Sequence, residues 1–408
     1  MQSKDKKLKK HLFVFFTFLF VAITIRIYIS YMNYLDFTSN KYKTLEAKVI
    51  NQYKKKNYYV LKLKTKTHTF YTTSKEDLKN LLNENIKLTI VTDKISFKDY
   101  LFGFYAPSFN IKLLPVSSEE RFIEKQHKQT ETSNIFKALF LGESISYDTR
   151  QKLSALGISH LIALSGLHLG FISLFLYLLI SPIYRLFHKY FPYRNRFVDI
   201  ALVVFLIEFF YLYITSFPPS LFRAYVLEIV VFLYAYYLKN PFSLEVLGVV
   251  FFVSLVFFEK VFSIGYFLSI TGVFYIYLFF RYFKPTFVNS LILSFYMFIV
   301  MFVVGHYFFG NFNLYQLFSP IVNIVFSVFY PVEILLHLVG KGGVLDEFIK
   351  SYLDLGSEFV SVKFPFWFLI LFLGMSVLAF FKRWAFYGIN LLALLSIIYA
   401  IGVWIDKV

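Results

Sequence analysis

The chain contains no cysteine, which excludes disulfide staples and thiolate metal centres. A domain outside the cytoplasm must therefore fold on its own core. Charge is scarce as well. Asp, Glu, Lys and Arg make up 16% of the 408 residues, against about 25% in soluble domains. Acidic side chains are the scarcer half: 25 against 42 Lys and Arg, for a net charge of +17. That excess is compatible with a polyanionic partner, with lipid headgroups or with topogenic loops. No GxxxxGK[ST] motif occurs, and the GKGG at 340–343 lacks both the spacing and the hydroxyl, so no P-loop is present. What abounds is hydrocarbon. Hydrophobic residues account for 58% of the chain, and several runs exceed the roughly 18 residues of a membrane-spanning helix. A single water-soluble globule is excluded; the chain reads as a polytopic α-helical membrane protein. The 55 Phe and 32 Tyr, with abundant Lys, Ile and Asn, read as genome-wide compositional bias.

Lys4, Lys6, Lys7, Lys9 and Lys10 precede an apolar run over 12–31. The run exceeds a signal-peptide core, and no small-residue cleavage site follows, so residues 1–35 are expected to be a retained transmembrane anchor with a cytoplasmic N-terminus. Residues 36–116 then lie outside the cytoplasm. Their period is β-like, with runs at 44–50, 58–64, 67–73, 86–92 and 109–116 between turn-type clusters. One helical stretch, Lys75–Asn83 capped by Ser74, falls after the third run. That order predicts an extracytoplasmic small β-barrel of the OB-like type. Residues 117–158 form an amphipathic connecting segment, and 159–408 a polytopic helical domain. Its candidate segments are 160–187, 197–215, 220–238, 241–258, 262–281, 287–309, 314–338, 364–381 and 384–404. The basic loop Arg185, His188, Lys189, Arg194, Arg196 is assigned inside. Lys382 and Arg383 also fall inside if 314–338 is re-entrant and 344–360 lies along the surface, presenting Val344, Phe348, Tyr352, Leu355 and Phe359 as one stripe. The C-terminus then lies outside.

Three interruptions break the apolar pattern. GISHLIALSGLHLG (157–170) places His160, Ser165, Gly166 and His168 in or at the mouth of a span. Such groups at membrane depth face a cavity or each other; small-residue helix packing explains them equally well. Phe217-Pro218-Pro219-Ser220 ends one helix and starts another, with Ser220 as cap and Arg223 in the first turn. An anion site results, or an interfacial turn with a snorkelling arginine. Glu228, further along, is placed to pair with Arg223 or another cation. Ser319-Pro320 is a third start signal inside an apolar run, with Asn323 on the same face and Pro331 interrupting again. Discontinuous helices whose N-termini face the midplane recur in transporters of anions.

HLIALSGLH (160–168) resembles the signature of the ComEC-type competence proteins. The resemblance extends through FLGE (140–143), PPSLFRA (218–224), FSIGYFLSI (262–270) and SPIVN (319–323), in that family's order. It covers about residues 40–340, the OB-type domain included. It implies an inner-membrane channel that passes single-stranded transforming DNA into the cytoplasm during natural competence. Many relatives continue into a metallo-β-lactamase-like domain; no HxHxDH cluster occurs in this sequence, so a short form of the family is expected. Where the family carries Gln in a GFQLSF-like motif, this chain has Phe267.

The resemblance also assigns tasks. A DNA path would be lined by His160, Ser165, Gly166, His168, Pro219, Ser220, Arg223, Gly265, Ser269, His306, Ser319 and Asn323. In the β domain Lys62, Lys64 and Lys66 alternate with Leu61, Leu63 and Thr65; with Tyr58 and Tyr71, and Tyr53 and Phe70 nearby, they form a basic, stacking face for a single strand. Lysines on a half-exposed strand are also simply solvated. Implied partners are single-stranded DNA, membrane lipid, an extracytoplasmic DNA receptor, a cytoplasmic helicase-like ATPase or strand-binding proteins, and a second copy of the chain. No cofactor, metal site, nuclease motif or ATPase motif is expected. Two other classes stay open. One is a membrane-embedded serine hydrolase, with Ser165 beside glycine resembling a rhomboid-type nucleophile and His306 as base. The other is a transporter or flippase for another polyanion.

Overall fold

The structure is a computed structural model that describes residues 20–21, 23–55, 57–65, 69–75, 80–215, 217–237, 244–257 and 264–407. It divides into two compact units, residues 1–121 with 251–259, and residues 122–250 with 260–408.

The first unit is built on alternation. A helix α1 over 23–38 leads into β1 (Tyr42–Lys55), β2 (Tyr58–Lys64), β3 (Thr69–Ser74) and β4 (Asn85–Val91). A short α2 (Phe97–Phe102) and β5 (Ser108–Leu113) follow. The strands form one antiparallel sheet in the order β3-β2-β1-β4-β5. The long β1 serves two partners: its first half pairs with β4 from Tyr42↔Val91 to Lys48↔Asn85, its second with β2 from Lys48↔Lys64 to Lys55↔Tyr58. A register shift between Val49 and Asn51 bends the strand so that one element faces both ways. Alternate residues Leu61, Leu63, Ile86, Leu88 and Ile90 are fully buried beside Val49 and Phe70, as a period of two requires.

All five expected strands are present. The closed OB-like barrel is not shown: what exists is an open ladder. Among the described residues its outer strands approach through side chains and a connecting segment, with Thr72 Oγ1 donating to Ser108 Oγ at 2.7 Å and Tyr71 bridging to Tyr105. The helix expected over 75–83 falls in part on residues that are not described. Residues 76–79 lie outside the described residues, and 80–83 are coil and turn, closed by Asn83 at φ 68°. The described helix of this region is α2, between β4 and β5, capped by Ser96 Oγ accepting the Asp99 N–H at 3.2 Å. A four-residue cap signal inside a charged stretch set it.

The second unit inverts the distribution of polarity. It begins within α3 (Ser118–Glu124), at Phe122, and continues with α4 (Thr130–Leu141), α5 (Tyr147–Ala155) and α6 (Ser159–Ile162). Then come the long helices α7 (Gly166–His188), α8 (Arg196–Ile214) and α9 (Pro219–Tyr237), then α10 (Leu244–Phe257), divided between the two units after Val250, and the long α11 (Ile264–Tyr282) and α12 (Phe287–Phe308). After β6 (Asn311–Phe312) and a 3-10 turn over Leu314–Phe318 runs α13 (Ser319–Leu338). A shorter α14 (Asp346–Asp354), β7 (Val360–Ser361), α15 (Phe366–Ala379) and α16 (Arg383–Ile405) complete it. Among the described residues seven helices are long and apolar enough to cross a membrane; α10 and α15 are shorter apolar helices. Leu178, Leu186 and Phe287 lie bare on the outside, while Glu208, Arg223, Glu333 and His168 are buried. Hydrocarbon outward and charge inward is the order imposed by lipid as solvent. This is a multi-pass membrane protein.

Three further expectations change. The segment 117–158 is more than a connector: Ile135, Phe136, Leu139, Leu153 and Leu156 form a core with Phe326 and Tyr330 of α13 and Leu353 of α14. Pro331 does not interrupt α13, which runs straight through it; surrounding protein can satisfy the freed carbonyl. With the preceding 3-10 turn, 314–338 is long and apolar enough to cross a membrane. The surface helix expected over 344–360 is also shorter. It ends at Asp354, and the chain then turns into β7, where Phe312 pairs with Val360.

Candidate functional site

The second unit brings two of the three interruptions together. α8 ends at Ile214, and Phe217 takes a left-handed φ of 50° while its N–H reaches back to the Leu212 carbonyl at 2.8 Å. A bulky residue in that region is strained, and the strain turns the chain sharply into Pro218 and α9. Two prolines in succession leave few N–H groups to satisfy at the start. Pro219 opens α9, so Ser220 is not its cap. Its hydroxyl instead donates to the Leu164 carbonyl, just before Ser165 and the start of α7. A β-carbon at Gly166 would meet the Ala224 β-carbon at 3.1 Å, so a side chain there would push the starts of α7 and α9 apart by a few tenths of an ångström.

Around this junction the polar residues have defined partners. Ser165 precedes α7 in an extended conformation, and its N–H donates to His168 Nδ1 at 3.1 Å, with its hydroxyl also 3.1 Å from that atom. Because Nδ1 accepts, the His168 hydrogen sits on Nε2, which is buried without a hydrogen-bond partner among the described residues, against the rings of Tyr330 and Phe326. His160 Nε2 pairs with Asn323 Oδ1 of α13 at 2.9 Å.

Arg223 is the unusual member. It is only 4% exposed. Its Nη2 donates to the Gly265 carbonyl at 3.3 Å, and its guanidinium lies 4.7 Å from the centre of the Tyr266 ring. Nε and Nη1 are buried with no hydrogen-bond partner among the described residues. A buried donor left unpaired costs on the order of 1–3 kcal/mol, more when charged, and the guanidinium fork matches a phosphate or carboxylate. Glu228 does not compensate it. Its Oε1 is instead held by Ser173 of α7 at 2.6 Å, and the same hydroxyl contacts Glu208 of α8. The Ser173–Glu208–Glu228 contact was missed in the sequence. Glu208, a carboxylate deep in an apolar run, was the available signal.

Other expected residues lie elsewhere or play other parts. Ser319 is the first residue of α13 rather than its cap. The 3-10 turn before it runs directly into the helix, and Asn313 caps that turn by accepting the Tyr315 N–H at 2.7 Å. The third interruption is therefore not a free helix end. His306 does not join the junction: its Nδ1 donates to the Phe302 carbonyl at 3.0 Å, and its ring packs among Phe302, Phe312 and Phe364. That environment leaves it unplaced to serve Ser165 as a base. Gly265 lies at the start of α11 with half-buried Ser269 one turn on. In the sheet, Lys62 and Lys64 are half-exposed between buried Leu61 and Leu63. Lys62 stands opposite Tyr71 on β3, its Nζ 5.4 Å from that ring centre. Tyr58 is half-buried at the start of β2; Lys66 lies outside the described residues.

No curated protein and no solved structure matches this chain. A sequence profile described as "Competence protein" matches residues 139–406, well over half of the chain and inclusive of the starts of α7, α9 and α13. The chain belongs to the Competence protein family, with a role in DNA uptake.

Proposed function

We propose that the helical unit is a conduit passing single-stranded DNA across the bacterial inner membrane during natural competence. The observation that carries this reading is Arg223, a buried guanidinium with two nitrogens unpaired among the described residues, beside the joined starts of α7 and α9. A phosphodiester chain has a charge at every nucleotide and cannot enter hydrocarbon without a positive, polar path. The starts of α7 and α9 add oriented N–H groups, and Arg223 supplies the charge. Each contact must stay weak so that the strand keeps moving.

In this reading the N-terminus is cytoplasmic and the sheet extracytoplasmic, an OB-like platform. Lys62, Lys64 and Lys66 with Tyr58 and Tyr71 would receive the strand from a receptor. The sequence carries no P-loop, so a cytoplasmic helicase-like ATPase or strand-binding proteins would supply the pull, and a second copy of the chain is a further candidate partner. Arg223→Ala is expected to lower import of labelled DNA about tenfold or more, from the loss of one charge-assisted contact, with the protein still in the membrane. Normal import would remove the anion site from the reading.

One observation favours a second reading, a serine hydrolase: the Ser165 hydroxyl does contact His168 Nδ1. The same Nδ1 already accepts the Ser165 N–H, which is a helix-capping arrangement. Ser165→Ala discriminates. A nucleophile has no substitute and activity vanishes, whereas a path-lining serine tolerates alanine.

A further inference from the structure

A cluster outside the helix junction joins the segment before α4 to the loop after α13. Asp346 Oδ1 lies 2.8 Å from His127 Nδ1, and Asp346 Oδ2 accepts the Lys128 N–H at 3.2 Å. His337 Nδ1 lies 2.8 Å from the Glu333 carbonyl. The two rings meet with His127 Nε2 3.1 Å from His337 Nε2.

The protons can be counted. A carbonyl only accepts, so His337 Nδ1 carries hydrogen; a carboxylate accepting elsewhere makes His127 Nδ1 a donor as well. A neutral imidazole with hydrogen on Nδ1 has a bare lone pair on Nε2. Two such lone pairs facing each other at 3.1 Å repel. Three hydrogen bonds in series need three protons, and two neutral imidazoles supply two.

The surroundings suit a cation. His127 stacks on Phe136 with centroids 4.6 Å apart, and His337 packs against Phe136 and Phe140, each at 4.8 Å; aromatic faces attract positive charge. The titratable groups facing the pair are Asp346 from α14 and Glu333 from α13, whose Oε2 lies 3.4 Å from His337 Nδ1. From α4 only rings face it, because Lys137 is paired with Glu124 at 2.7 Å.

The GKGG of the sequence closes the cluster. The Gly342 N–H donates to Gln126 Oε1 at 2.9 Å, and Gln126 Nε2 donates to the His337 carbonyl at 3.2 Å. A β-carbon at Gly342 would lie 2.5 Å from His337 Nε2, and one at Gly343 only 2.1 Å from the Gln126 carbonyl oxygen. Both glycines are demanded by close approach.

We propose that His127 and His337 form a proton-binding site, holding one proton between their Nε2 atoms, and that this proton clasps the 340–343 loop to residues 126–128. Burial pulls His127 below the ordinary imidazole value of 6.5, against the opposing pull of Asp346. The proton is therefore bound in mild acid and lost as pH rises towards neutrality, when the clasp opens.

Amide hydrogen exchange on the full chain in lipid nanodiscs tests this, reading the Lys128 and Gly342 N–H groups at pH 5 and pH 8 with intrinsic rates corrected. Protection is expected to be about tenfold or more higher at pH 5. His337→Gln and His127→Phe should each abolish that difference; the latter keeps the ring stacked on Phe136. If both variants fail to fold, imidazole nitrogen shifts of the native chain decide, since the site requires one imidazolium in the pair at pH 5. Equal protection at both pH values, a pH difference surviving in either variant, two neutral rings at pH 5, or loss of protection on adding EDTA (a metal ion in place of a proton) would each overturn the proposal.

Discussion

The sheet unit hides Leu61, Leu63, Ile86 and Ile90 and shows lysine; the helical unit hides Glu208, Arg223, Glu333 and His168 and shows Leu178, Leu186 and Phe287. The same side-chain chemistry is thus sorted in opposite directions within one chain. Water around a sheet drives apolar groups inward. Lipid around helices removes that drive and makes every polar group seek protein. What remains inside the helical unit is therefore not a random residue of polarity. Most of these groups have a partner, as with Ser173 for both glutamates and Asn323 for His160. Among the described residues Arg223 Nε and Nη1 do not, and neither do Glu208 Oε2, Glu333 Oε1 and His168 Nε2; Arg223 is the arginine of that set.

The contrast can be broken from either side. Leu63→Ala, opening a cavity in the sheet core, should cost about 2–5 kcal/mol, read as lost exchange protection across β1 to β4; a cost near zero would mean that this unit is not held by its own core. Leu178→Arg, on the outer face of α7, should add about 2.5–3.5 kcal/mol to membrane insertion, whereas Tyr53→Arg on the sheet should stay within about 0.5 kcal/mol. Equal effects would erase the distinction between the two surroundings. Lys62→Gln with Lys64→Gln should cost at most about 1 kcal/mol of stability. It should lower the salt slope of single-strand binding by about 0.7 per lost phosphate contact, and an unchanged slope would take DNA off that face.

A small effect is expected at Lys152, which ties α5 to Asp354 at 3.0 Å and to Glu131 at 3.5 Å. Partial burial disfavours its charge, but Asp354 and Glu131 outweigh that and raise it above 10.5. A raised lysine contributes fully below its unfolded value and loses its contribution as pH climbs through the folded one. Lys152→Met should then cost at most about 1 kcal/mol at neutral pH and nothing in strong alkali, as followed by thermal unfolding.

How much was legible depended on how local the signal was. The five strands could be read because alternation is a property of neighbours in sequence. The starts of α7 and α9 could be read because Ser-Gly and Pro-Pro act on their own backbone. Ser319 misled for the same reason: a good local start signal was overruled by a 3-10 turn feeding it from Asn313. His306 was grouped with the junction only because it is a polar residue in a span, and no local pattern could show that its ring belongs with Phe302 and Phe364. Tyr266 beneath Arg223 and the Ser173–Glu208–Glu228 contact each join separate helices, and pairings between helices leave no period to read.

By itself the sequence determined the solvent of each part, because hydropathy and period are sums over adjacent residues and need no knowledge of contacts. It also placed two breaks in the helices, since proline and glycine act on the backbone they occupy. Only the tertiary structure decided which buried polar groups neutralise one another and which are left over. That outcome depends on distances of about 3 Å between residues far apart in the chain, such as His127 and His337, and no local pattern encodes them.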